Sequence, residues 1–186
     1  MTYKYIRKSM KKRKKNFLIS VLVAIMLLVS HSVAYAETSW ELEAKKIDNP
    51  TVFSDGSMSR ISGTPRGQLI SSFELSITDR GNGTVGLFGA ILCHEPMREI
   101  RMNLYLDIWD ADTSDWVNVE TYRFIWDESN TTEEERTAGV VAFDVDNLER
   151  GRDYRLRGLA GAYNLDSTVQ ESWKGDSTSI QVQSLN

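Results

Sequence analysis

Three residues in a row, Cys93, His94 and Glu95, bring together a thiol, an imidazole and a carboxylate, and Cys93 is the chain's only cysteine. Such side chains make nucleophilic or metal sites when they converge on one point. A second group with chemical potential is Asp107, Asp110, Asp112 and Asp115 within DIWDADTSD. Asp110-x-Asp112-x-Ser114 matches the first positions of a calcium loop, making Asp110, Asp112 and Asp115 candidate calcium ligands. The sixth position, where such a loop needs glycine, is however Asp115, and the twelfth is Thr121 where a bidentate Glu is needed. A third group is aromatic: Tyr105, Trp109, Trp116 and Tyr122 lie on either side of the same turn.

Whether these groups can act depends on the elements that carry them. From residue 66 the apolar residues recur with period two, as in a strand with one buried face. Leu69, Phe73, Leu75 and Ile77 mark a first strand, and Val85, Leu87, Ile91 and Cys93 a second. The clearest alternation is Ile100, Met102, Leu104, Leu106 and Ile108, a third. A fourth runs over residues 116–126, a fifth holds Val141, Phe143 and Val145, a sixth is DYRLRGLAGAY, and a last one from residue 177 holds Ile180 and Val182. Turn signals separate these segments and no helical period intervenes. The expectation is an all-β protein, an antiparallel β-sandwich of about seven strands over residues 66–186. Residues 37–65, polar and without sustained period, read as a leader or linker.

In NLERGRDYRLRGL, Leu148, Gly151 and Tyr154 resemble the turn before the penultimate strand of immunoglobulin and fibronectin type III domains, where a tyrosine hydroxyl caps the preceding corner. The chain also resembles a family of small secreted all-β proteins from Gram-positive bacteria, classed as a domain of unknown function. The pieces that carry the resemblance are TPRGQLISS at 64–72, GNGT at 81–84, GAILC at 89–93, the long third strand ending before Trp116, YRLRG at 154–158 and a Ser/Thr-rich final strand. It spans residues 64–182. The resemblance implies secretion and an all-β fold, and it transfers no catalytic residues.

The N-terminus sets the compartment. A cationic block with Lys4, Arg7, Lys8 and five further basic residues precedes an apolar run over 17–29 and then Ala34-Tyr35-Ala36. This is the pattern of a signal peptide over residues 1–36 cleaved between Ala36 and Glu37, and the run is too short for a transmembrane anchor. That leader holds 8 of the 22 Lys and Arg and none of the 26 Asp and Glu, so the remainder carries 14 basic against 26 acidic residues, net −12. An acidic exported chain is a poor partner for nucleic acid or anionic lipid, and a single cysteine rules out an intramolecular disulfide framework. The protein is therefore expected to be extracellular and free of the membrane after cleavage, with no cofactor and with its oligomeric state open.

Pairing strands three and four across ADTS sets Asp110 opposite Asp115. A regular register then matches Ile108 with Val117, Leu106 with Val119 and Ile100 with Ile125 as core pairs. The opposite face would carry Tyr105, Trp109, Trp116 and Tyr122, with Phe124 and Trp126 beyond. Aromatics interspersed with Glu, Asp and Asn suit sugar rings, whose C–H faces stack on indole while their hydroxyls meet polar groups. Those four residues are the candidate ligand surface. The alternative for that face is cross-strand packing, or cover by residues 37–60 or a partner chain. The expected function is a non-enzymatic extracellular module that binds or assembles with a glycan or protein. One alternative is a carbohydrate or cell-envelope binder using the aromatic face, and another a small glycan-acting enzyme needing two carboxylates in one cleft. Phase also separates Cys93 from His94: neighbours on a strand point to opposite faces, so Cys93 is expected on the core side as a small hydrophobe.

Overall fold

The computed structural model describes residues 39–47, 50–54, 56–63 and 67–183. The expected signal peptide and its cleavage point at Ala36 and Glu37 lie outside them. Two sheets pack face to face as a β-sandwich, with β1 Lys45–Lys46, β2 Thr51–Ser54, β3 Met58–Gly63, β4 Ile70–Gly81, β5 Thr84–Cys93, β6 Glu99–Asp110, β7 Asp115–Trp126, β8 Ala138–Val145, β9 Asp153–Tyr163, β10 Gln170–Asp176 and β11 Ile180–Gln181. Sheet A has the order β1-β10-β9-β6-β7, with β11 also pairing β9, and sheet B the order β2-β3-β4-β5-β8. All pairings are antiparallel except β1 with β10. Among the described residues no helix is long and apolar enough to cross a membrane.

The alternating residues of the central strands build the core. Phe73, Leu75 and Ile77 from β4, Val85 and Ile91 from β5, and Ile100, Met102, Leu104 and Leu106 from β6 are all fully buried. The sheets approach closely where side chains are missing. A Cβ on Gly89 of sheet B would sit 2.6 Å from Met102 Sδ, and one on Gly158 of sheet A 2.5 Å from Leu75 Cδ2. These glycines let large side chains of the facing sheet fill the space. The corner before β9 has the expected capping contact: Gly151 takes φ of 76° and the Glu149 N–H donates to the Tyr154 hydroxyl at 3.0 Å.

The structure departs from the sequence expectations at several points. Residues 37–65 are not simply a leader, because α1 (Ser39–Leu42) and β1 to β3 come from them. Trp40, Ala44, Ile47 and Ile61 are buried: Trp40 is in the four-residue α1, Ala44 and Ile47 flank the two-residue β1, and in β3 Ile61 alternates with Ser59 and Gly63, which give no apolar period. The strand β10 went unforeseen, since its inward residues are Glu171, Trp173 and Gly175 and offer no apolar alternation. Glu171 is occupied structurally: its carboxylate accepts the N–H groups of Leu69 and Ile70 at 2.8 and 3.0 Å and the Trp173 indole N–H at 2.8 Å. The strand expected from residue 177 is the two-residue β11, which pairs with Tyr154 and Asp153 of β9.

The register differs as well. Asp110 does face Asp115 and Ile108 faces Val117, but a bulge at Val119 then puts Glu120 opposite Leu106, Tyr122 opposite Leu104, Phe124 opposite Met102 and Trp126 opposite Ile100. One extra residue in one strand exchanges the two faces of everything beyond it. Val117, Val119 and Ile125, all expected in the core, are 46%, 47% and 48% exposed, while Tyr122, Phe124 and Trp126 pack against the core. The acidic connection after β7 is anchored by Arg136, 6% exposed, whose Nε donates to the Met97 carbonyl at 2.7 Å and Nη1 to that of Thr131 at 2.9 Å.

Candidate functional site

The outward residues of β6, β7 and β9 form a continuous band across sheet A. Antiparallel pairing places Tyr105 beside Arg157, Asp107 beside Arg155 and Asn118, and Trp109 beside Trp116. At one end the two indoles meet edge to face with centroids 5.4 Å apart, and the Arg155 guanidinium lies 4.7 Å from the Trp116 ring. Arg157 lies over Tyr105 at 4.9 Å. Between the arginines stands Asp107, only 1% exposed. Its Oδ2 accepts Arg155 Nε at 3.0 Å and Arg157 Nε at 2.5 Å, and its Oδ1 accepts Arg157 Nη2 at 3.0 Å and Asn118 Nδ2 at 3.2 Å.

Burial by itself would raise the Asp107 pKa. The hydrogen bonds and charge of Arg157, with the Asn118 and Arg155 contacts, outweigh it and hold the carboxyl below its ordinary value. The same Asp107 bond raises the Arg157 pKa against its burial. Asp107 is thus an anion throughout the neutral range and fixes two arginines whose guanidiniums lie over the Trp116 and Tyr105 rings. Toward the other end, Asn103 Nδ2 donates to the Tyr105 hydroxyl at 3.2 Å and to Glu41 of α1 at 2.5 Å. There α1 covers the face, with Trp40 buried against Leu159 and its carbonyl accepting Ser172 Oγ at 2.8 Å.

Of the four aromatic candidates, the structure therefore brings Tyr105, Trp109 and Trp116 together on one face and leaves them half-buried. Tyr122 is separated from them. The bulge turns it inward, where its ring meets Phe143 at 4.7 Å and its hydroxyl donates to Glu120 at 2.8 Å. Burial and then the Glu120 carboxylate push its pKa well up.

The aspartates of the turn do not assemble as calcium ligands. Asp110 accepts the Asp112 N–H and the Thr113 hydroxyl, each at 3.0 Å, and Asp115 accepts the Trp116 N–H at 2.7 Å. These are the local bonds that shape a hairpin turn. Among the described residues no three His, Cys, Asp or Glu side chains converge to hold a metal. Cys93 is half-buried against the core, with its thiol pushed up to about 12 by burial and then by the nearby Glu171 charge. His94 and Glu95 are exposed, whereas Cys93 packs against the core.

Sequence reasoning missed Asp107, Arg155 and Arg157 as the centre of this face. The period-two arginines of YRLRG do show that both point the same way. What is hidden is that β9 lies beside β6, some fifty residues earlier in the chain.

No family model matches the chain, and no curated protein matches it. Among solved structures, chicken MD-1 in complex with lipid IVa is similar to it with a TM-score of 0.33 and 11% identity, over 71% of this chain and 96% of that one. A likeness so distant carries nothing about ligands to this chain.

Proposed function

We propose that this chain is an exported, non-enzymatic binding module that presents the outer face of sheet A, at Trp109, Trp116 and Tyr105, to an extracellular glycan. The observation that carries the proposal is the band of preordered side chains. Two indoles and a phenol remain partly open to solvent, while the Arg155 and Arg157 guanidiniums fixed by Asp107 lie over Trp116 and Tyr105. Aromatic surface that is already immobile loses little side-chain entropy on binding, and Trp, Tyr and Arg dominate the energetics of recognition surfaces. Sugar rings present flat C–H faces that match exposed indole. Export is supported by the cationic, apolar and small-x-small succession of residues 1–36. A non-catalytic role is supported by the protonated Cys93 thiol and by the structural employment of Glu171 and Asp107.

The test is binding of the purified protein to a panel of neutral and acidic polysaccharides and cell-wall preparations, with the Trp109→Ala/Trp116→Ala double variant alongside. We expect the double variant to lose about tenfold or more in affinity for the glycans that wild type retains. Unchanged binding by the variant, or no binding by wild type across the panel, overturns the proposal.

A further inference from the structure

Resting on that reading, we infer that the glycan is acidic, and that the terminal nitrogens of Arg155 grip a carboxylate carried on a sugar ring stacked at Trp116. Two guanidinium cations share one buried carboxylate at Asp107, and the carboxylate of Asp176, cross-strand from Arg157, acts on that arginine as well. The two arginines differ in what they have left. Arg157 spends both Nε and Nη2 on Asp107, whereas Arg155 spends Nε alone. Its side chain is 24% exposed, and its guanidinium Cζ lies over the Trp116 ring, 4.7 Å from the centroid. A guanidinium held by its Nε edge presents its other two nitrogens as a planar fork, the geometry that takes a carboxylate through two parallel hydrogen bonds.

The neighbouring indoles select among anions. A charged group bonded to Arg155 must be followed, within a few ångströms, by a surface able to stack on Trp116. A uronic acid meets that demand, because its carboxylate is attached directly to the pyranose ring. A glycerol phosphate polymer supplies the charge without the ring. The rest of the chain sharpens the choice: after residue 36 it carries a net charge of −12, so an anion is attracted by this local arrangement and not by the protein as a whole.

The experiment titrates the purified protein with polygalacturonate, alginate and hyaluronan, with the carboxyl-reduced form of each, and with poly(glycerol phosphate). We expect at least one acidic polymer to bind about tenfold more tightly than its carboxyl-reduced form, as a charge-assisted bidentate contact should. Arg155→Gln should erase that preference and leave the residual affinity of the reduced polymer. Arg155→Lys should restore only part of it, because an ammonium supplies the charge without the fork. Asp107 keeps Arg157 and Asn118 in both variants, and a cooperative urea-unfolding curve with the protein fully folded in the absence of urea confirms that they fold. Equal binding of acidic and reduced polymers, a preference surviving in Arg155→Gln, tightest binding to poly(glycerol phosphate), or no binding to any of the three acids each overturns the inference. If acidic and reduced polymers bind equally and Trp116→Ala weakens both, the acidic ligand falls while the aromatic face stands. If Trp116→Ala leaves binding intact, the aromatic face itself falls.

Discussion

The two faces of sheet A are made by the same strands and held by different forces. On the inner face Ile100, Met102, Leu104 and Leu106 are fully buried against sheet B, where contact is non-directional and stability scales with apolar area. On the outer face, one residue along in each case, Tyr105, Asp107 and Trp109 enter a directional arrangement of carboxylate, guanidinium and ring. The inner face tolerates exchange of one hydrophobe for another of like volume, whereas the outer face depends on particular atoms at particular distances. The difference teaches that one set of strands can serve two purposes: the face proposed for recognition is not the face that closes the core.

The comparison breaks most severely on the inner face. Leu104→Ala should destabilise the protein by about 3 kcal/mol, as for other buried leucines. Its surroundings include Gly89, whose missing Cβ already lets the sheets approach, so little is free to collapse into the gap. Urea denaturation should show this loss equally at low and high salt. A loss below about 1 kcal/mol would mean that the inner face is more plastic than its packing implies.

Asp107→Asn comes next, with an expected cost of about 2 kcal/mol, typical of hydrogen bonds to a charged group and reduced by the partial exposure of both arginines. This cost should depend on pH in a definite direction. The folded carboxyl titrates below its ordinary value of 3.8, so its stabilisation is complete above that value and is lost as pH falls through the lower folded pKa. The wild-type advantage over Asp107→Asn should therefore be constant at neutral pH and close in the acid range. An advantage that instead grew on acidification would refute the assignment of Asp107 as the anion at the centre of the band.

How much of this was legible depends on how local the signal is. The core positions of β4, β5, β6 and β9 follow from alternation, because each strand is long and buries one face. The corner at Tyr154 was readable for the same reason: Leu148, Gly151 and Tyr154 lie within seven residues. The outer band was not readable, because Arg155 and Arg157 on their own look like solvated residues, and only the β6–β9 alignment brings Asp107 between them. Strands β1 and β10 escaped because their partners, and not their own patterns, define them. In β7 the alternation itself misled: Val117, Val119 and Ile125 form a plausible apolar series, and the aromatic series of Tyr122, Phe124 and Trp126 is the one that packs against the core.

On the outer face, Trp116→Ala should cost about 1 kcal/mol, the sum of a half-exposed aromatic pair and one cation–π contact. It should also abolish the coupled Trp109–Trp116 signal in the circular dichroism spectrum. A cost near that of Leu104→Ala would erase the distinction between a recognition face and a core face.

The smallest effect is expected where the two faces exchange. Deleting Val119 removes the bulged residue yet leaves Asn118 opposite Asp107 and Glu120 opposite Leu106, which are the pairings already present. Tyr122, Phe124 and Trp126 then keep their inward positions, and Tyr122 keeps Phe143. The expected change in stability is within about 1 kcal/mol, with the Trp109–Trp116 signal preserved, since Val119 is 47% exposed and its loss uncovers little apolar surface. A bulge also adds local twist, so the modest cost of flattening β7 should be the whole effect. Unfolding of the deletion variant would show that the bulge is required for sheet A to close over sheet B; retention of the fold would show that it serves only to carry the aromatic series across to the core.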